Sequence, residues 1–167
     1  MADLQTTIVS GFMERYTTLA EEVTKLAAPL SEEEFWRKPF PFGNSFGHLV
    51  LHVTGNLNYY IGAEIGATGY LRDREREFTE TNCPGKKECL KKFEEAVDVV
   101  LTTLMAQTID DWEKEYTAIG ETDAKNRMTI FLRCATHLHH HVGQMLYLGY
   151  ALKGEAAEEV AASGASK

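Results

Sequence analysis

Apolar positions recur at helical spacing in four separate stretches of this chain. Phe12, Tyr16, Leu19, Val23 and Leu26 follow one another at steps of four, three, four and three. That is the stripe of an amphipathic helix, and it predicts a first helix over residues 4–28, broken at Pro29. Ser31, with Glu34 three residues later, has the form of a capping box and predicts a short helical turn through Phe35 and Trp36. The Pro-Phe-Pro-Phe-Gly run at 39–43 is loop. Asn44 or Ser45 then caps a second helix over 45–65, with Leu49, His52, Val53, Asn56 and Tyr60 on one side and Gly66 and Gly69 at its end. Leu90, Phe93, Val97, Val100 and Leu104 keep a heptad-like spacing and predict a third helix over 86–107. A fourth runs over 123–152, with Lys153-Gly154 as its stop.

The intervening segments carry no convincing strand pair. Residues 108–121 read as one helical turn at 109–112, then an extended piece at 114–119, ended by Gly120. The expected fold is therefore all-α: an antiparallel four-helix bundle with a long connection between helices 2 and 3. That connection, about 20 residues against the 2–8 usual in bundles, allows a crossover topology. Residues 1–154 read as one domain. The small, acidic stretch 155–167 reads as a tail, either a brief helical extension or disordered.

Composition narrows the partners. The 167 residues are 44% hydrophobic and 25% charged, ordinary for one globular domain. The formal net charge of -8 argues against nucleic acid and anionic membrane surfaces, which are held by Lys and Arg, and favours a small molecule or a protein. No apolar run reaches the length of a transmembrane helix, and the first residues lack the basic-then-apolar pattern of a secretory signal. Three cysteines, Cys83, Cys89 and Cys134, without a Cys-x-x-Cys pair fit reduced thiols in a cytoplasm, against a Cys83–Cys89 disulfide.

The 6 histidines fall into two clusters, His48 with His52, and His137 with His139, His140 and His141. His137 and His141 are one helical turn apart on one face, so two imidazoles can share a divalent metal. A third ligand must come from another helix. His52, mid-helix on the apolar side, is the natural candidate, but His48 stands four residues before it, and spacing alone does not choose between them. Four imidazoles would close a zinc site, as in a structural role, whereas three leave a position for water or substrate. Gln144 could orient a ligand imidazole or be an ordinary satisfied polar group, and Asn56 and Tyr60 could reach a metal-bound group. Gly143 reads as a packing glycine. Trp36 and Trp112 read as core aromatics. Arg72, Arg74 and Glu77 could line a pocket mouth, but a solvated surface ion network is the expected reading.

The segment His137-Leu-His-His-His-Val-Gly-Gln-Met-Leu-Tyr-Leu148 resembles the fourth-helix signature of the DinB/YfiT-like superfamily of metalloproteins, with Val142 where an Arg often precedes Gly-Gln. The run His52-Val-Thr-Gly-Asn56 resembles the second-helix signature of one domain-of-unknown-function branch, and the charged connector at 72–78 is similar to it too. The resemblance implies a four-helix bundle with nickel or zinc held by three histidines, His52 rather than His48 being the helix-2 ligand, and often a dimer. Some members are transferases or isomerases using bacillithiol, mycothiol or glutathione. The functional expectation is thus a metal-dependent enzyme in the cytoplasm, a thiol-dependent transferase or a hydrolase, acting on a small molecule as a homodimer. The alternative is a non-enzymatic metal-binding bundle with a structural or stress-related role.

Overall fold

The computed structural model describes the backbone of residues 3–164 and the side chains of residues 3–154. Among the described residues there are six α-helices and no strand. They are α1 (Leu4–Ala27), α2 (Glu32–Trp36), α3 (Phe46–Leu57), α4 (Arg76–Thr79), α5 (Lys86–Met105) and α6 (Arg127–Gly164). A π-helical turn, Asn58–Ala63, continues α3, and a 3-10 turn spans Ile109–Asp111.

Local chemistry explains most boundaries. The Asp3 carboxylate accepts from the Thr6 N–H and caps α1. The Ser31 and Glu34 capping box forms in full at α2. Ser45 caps α3 by accepting from the His48 N–H. α6 begins at Arg127, later than the periodicity predicts, because Asn126 and Thr129 bond reciprocally. The Thr129 N–H donates to Asn126 Oδ1 (2.9 Å), and the Asn126 N–H donates to Thr129 Oγ1 (3.0 Å). At its other end α6 passes through Gly154 to Gly164, so the expected stop at Lys153-Gly154 is not used. Of the tail at 155–167, the side chains of 155–164 and the whole of 165–167 lie outside the described residues. The stretch after α5 follows expectation: a turn at 109–111, then an isolated bridge between Glu115 and Asn126.

α1 packs on α5 and α6, and α3 packs on the same two helices. The shared core includes Tyr16, Phe35, Phe46, Phe93 and Phe131, all fully buried. The Tyr16 hydroxyl stays satisfied there by donating to the Phe131 carbonyl (2.7 Å). α3 is the most enclosed helix, with ten of its residues buried, including His48, His52 and Asn56. Trp36 and Trp112 both belong to this packing: Trp36 lies edge-on to His48, and Trp112 lies against Phe12 and Phe131. The connection between Ala63 and Lys86 folds back over α3 through the short helix α4. All three cysteines are free thiols, with Cys89 and Cys134 buried.

Candidate metal centre

Three imidazoles from two helices meet beneath α4. His52 comes from α3, and His137 and His141 come from successive turns of α6. One ring nitrogen of each lies within 4.8 Å of the others. His137 Nε2 is 3.3 Å from His52 Nε2 and 3.2 Å from His141 Nε2.

The opposite ring nitrogens fix which atoms face inward. His52 Nδ1–H donates to Glu77 Oε2 (2.8 Å), an acceptor-only carboxylate, so His52 Nε2 carries a bare lone pair. His141 Nδ1–H donates to Gln144 Oε1 (2.8 Å), which leaves its Nε2 bare as well. The Gln144 amide N–H donates in turn to His140 Nε2 (3.1 Å), which sets the orientation of the amide. His137 Nδ1 is buried without a partner. Its one Nε2 cannot satisfy two lone pairs at 3.2 and 3.3 Å by donating a single proton. A cation between the three nitrogens would. Two nitrogens at 2.0–2.1 Å from a tetrahedral ion stand about 3.3 Å apart. The three histidines are thus placed so that they could hold one ion.

The protonation states agree. Burial, and then the neighbouring His141, push His137 down to about 3. Burial also takes His141 down to about 4, against the opposing bond to Gln144. Both are therefore neutral at physiological pH, as ligation requires.

Glu77 is the residue that the sequence reading misjudged. The expected solvated ion network is instead a buried one, with the side chains of Arg72 and Glu77 only 7% and 6% exposed. Arg72 donates through Nε to Glu77 Oε1 (2.7 Å) and through Nη2 to Oε2 (2.8 Å), while Oε2 also receives His52. The carboxylate fits because residue 55 is glycine: a Cβ there would stand 2.0 Å from Glu77 Oε1. Phe78, the next residue, places its ring against His52 at 4.7 Å between centroids.

His48 stands apart from the cluster. Its Nε2–H donates to the Glu80 carbonyl (3.2 Å), and its Nδ1 accepts from Ser45 Oγ (2.6 Å). Burial above all lowers its pKa. A Cβ at Gly143 would meet nothing within 4 Å, so the packing role expected of this glycine does not require its lack of a side chain. His139 is exposed.

A pocket of roughly 610 Å3 opens beside the cluster, lined by His52, Asn56, Tyr60, Arg72, Arg133 and His137 among others. Tyr60 donates its hydroxyl to the Gly120 carbonyl (3.1 Å), which ties the loop after α5 to the π-helical turn. Arg133 escaped the sequence reading altogether. It lies one turn before His137 on the same helix face, and that spacing was the available signal.

Fold and site define an all-helical protein whose three-histidine cluster is built between two long helices. A family model described as the DinB superfamily matches residues 15–145, a span that contains all three histidines, and the chain belongs to that superfamily. No curated protein and no solved structure matches the chain. Among the described residues, no helix is long and apolar enough to cross a membrane.

Proposed function

We propose that His52, His137 and His141 hold a divalent metal, nickel or zinc, and that the protein is an enzyme acting through it, either a transferase using a low-molecular-weight thiol or a hydrolase. The observation that carries this reading is the pair of bare Nε2 lone pairs turned on a third Nε2 at 3.2 and 3.3 Å. When bound by three neutral imidazoles, such an ion supplies Lewis acidity and lowers the pKa of a water or thiol brought to it.

The chain's own groups would do the rest. Glu77 holds His52 in the tautomer that presents Nε2, and Gln144 does the same for His141. Arg72 keeps Glu77 in place from its far side. The pocket beside His52 and His137 gives a small molecule access to the ligand cluster. A non-enzymatic structural site closed by four histidines would need His48, whose two nitrogens are engaged by Ser45 and Glu80. The same reading takes the four long helices as an antiparallel bundle. It takes residues 1–154 as one domain with 155–167 as its tail, and the working protein as a cytoplasmic homodimer.

Elemental analysis of protein made without a polyhistidine tag tests the site. Wild type should carry close to one equivalent of metal, and His137→Ala should carry almost none. Equal metal in both sinks the proposal.

A further inference from the structure

Among the described residues, several buried polar atoms without hydrogen-bond partners gather around one pocket. Asn56 is 2% exposed, lines the pocket beside the histidines, and its Oδ1 has no hydrogen-bond partner. Arg133 lines the same pocket, and its Nη1 is also buried without one. Buried groups of this kind are ordinarily satisfied by protein, water or a ligand. Either end of the Asn56 amide can serve, since it offers both an acceptor and two donors.

The charges around the pocket point to the sign of that ligand. Three guanidiniums line it, those of Arg72, Arg74 and Arg133, and no carboxylate does. Arg72 and Arg133 both lie against the Tyr60 ring, at 5.4 and 4.9 Å from its centroid, so two like charges share one aromatic platform. The carboxylates nearest them stand behind the pocket wall, not in it. Glu77 receives Arg72 Nε and Nη2, and Glu121 sits 2.9 Å from Arg133 Nε. The Glu121 carboxylate is committed further, since its Oε1 accepts from the Asp123 and Ala124 N–H groups (2.7 and 3.0 Å). The charged side chains on the wall are thus guanidiniums alone, in a cleft completed by Tyr59, Tyr60 and Ile119.

We propose that this pocket binds a small organic carboxylate as substrate, its anionic end on Arg133 and Asn56 and its body against the tyrosines, beside the histidine cluster. The assignment rests on that cluster being the reactive centre. A guanidinium recognises a carboxylate through paired N–H donors.

Benzoate and benzamide, equal in shape and different in charge, make suitable probes, titrated calorimetrically into metal-loaded and metal-free protein. Benzoate should bind wild type at least tenfold more tightly than benzamide. Arg133→Gln should remove that preference while leaving metal content and benzamide affinity unchanged, and Arg133→Lys should retain part of it. Equal affinities for the two probes in wild type overturn the proposal without any variant. So does a benzoate preference that survives Arg133→Gln in folded protein, or one present only when metal is bound. Inorganic phosphate binding more tightly than benzoate overturns the carboxylate assignment. Metal analysis on the same samples separates the two readings. Metal present with no benzoate preference removes only this one, and benzoate preference without metal removes only the metal site.

Discussion

Glu77 occupies the space that a side chain on residue 55 would fill, and this couples two positions 22 residues apart in sequence. The carboxylate holds His52 from behind, and partners of this kind typically contribute 10–100-fold in metal affinity. Glu77→Ala should therefore weaken binding by roughly that factor, read by competition with a chromophoric chelator. Gly55→Ala should weaken it similarly, because its Cβ expels the carboxylate. In the Glu77→Ala background the same glycine substitution should add little, since nothing remains to be expelled. Fully additive losses would show that Gly55 acts elsewhere. His137 and His141 were legible in sequence because ligand spacing on a helix is strict, whereas spacing left His48 and His52 open and the family resemblance chose His52. Glu77 was not legible, because it sits in a run of alternating charges, Arg72 to Glu77, of which only the short turn of α4 directs one carboxylate inward.

At the scale of elements, the helix starts at Ser31 and Ser45 were legible from their capping side chains, whereas the start of α6 beside Asn126 was not. The π-helical turn at Asn58–Ala63 left no such mark. It follows from tertiary fit, with Gly62 close against Val99 of α5 and Tyr60 reached by Tyr116, whose hydroxyl donates to its carbonyl (2.9 Å). π turns of this kind are often found at functional sites, and this one presents Tyr59 and Tyr60 to the pocket. The two serine caps make a controlled comparison. Ser31 is exposed and serves only its helix end. Ser45 is fully buried, and its hydroxyl also donates to His48 Nδ1, which has no other partner. Ser31→Ala should cost about 1 kcal/mol. Ser45→Ala should cost about 1–3 kcal/mol more, because it strands a buried acceptor. Urea denaturation of both variants checks this, and equal losses would mean that water replaces the serine hydroxyl.

For the whole molecule, the all-helical class followed from periodicity alone, and the site then makes the stability of the molecule depend on pH in a definite direction. In the unfolded chain a histidine titrates near 6.5. In the folded protein His137 is pushed down to about 3 and His141 to about 4, burial being the main cause of both. Between those values the unfolded chain binds protons that the folded protein refuses, so stability rises with pH across the window and levels off above it. The contribution is fully present above about 6.5 and is lost as pH falls towards the folded values. Carboxylates complicate the lower part of that window, so the range from pH 7 to 5 isolates the histidines. Chelator-treated wild type should lose midpoint in urea between those pH values, and His137→Gln should lose less, having one fewer proton to take up on unfolding. Metal-loaded protein should hold its midpoint further into the acid and then fall more steeply, because protons must displace an ion as well as enter a buried site. A wild-type midpoint that does not move between pH 7 and 5 would mean that these imidazoles are open to solvent and already titrate as they do in the unfolded chain.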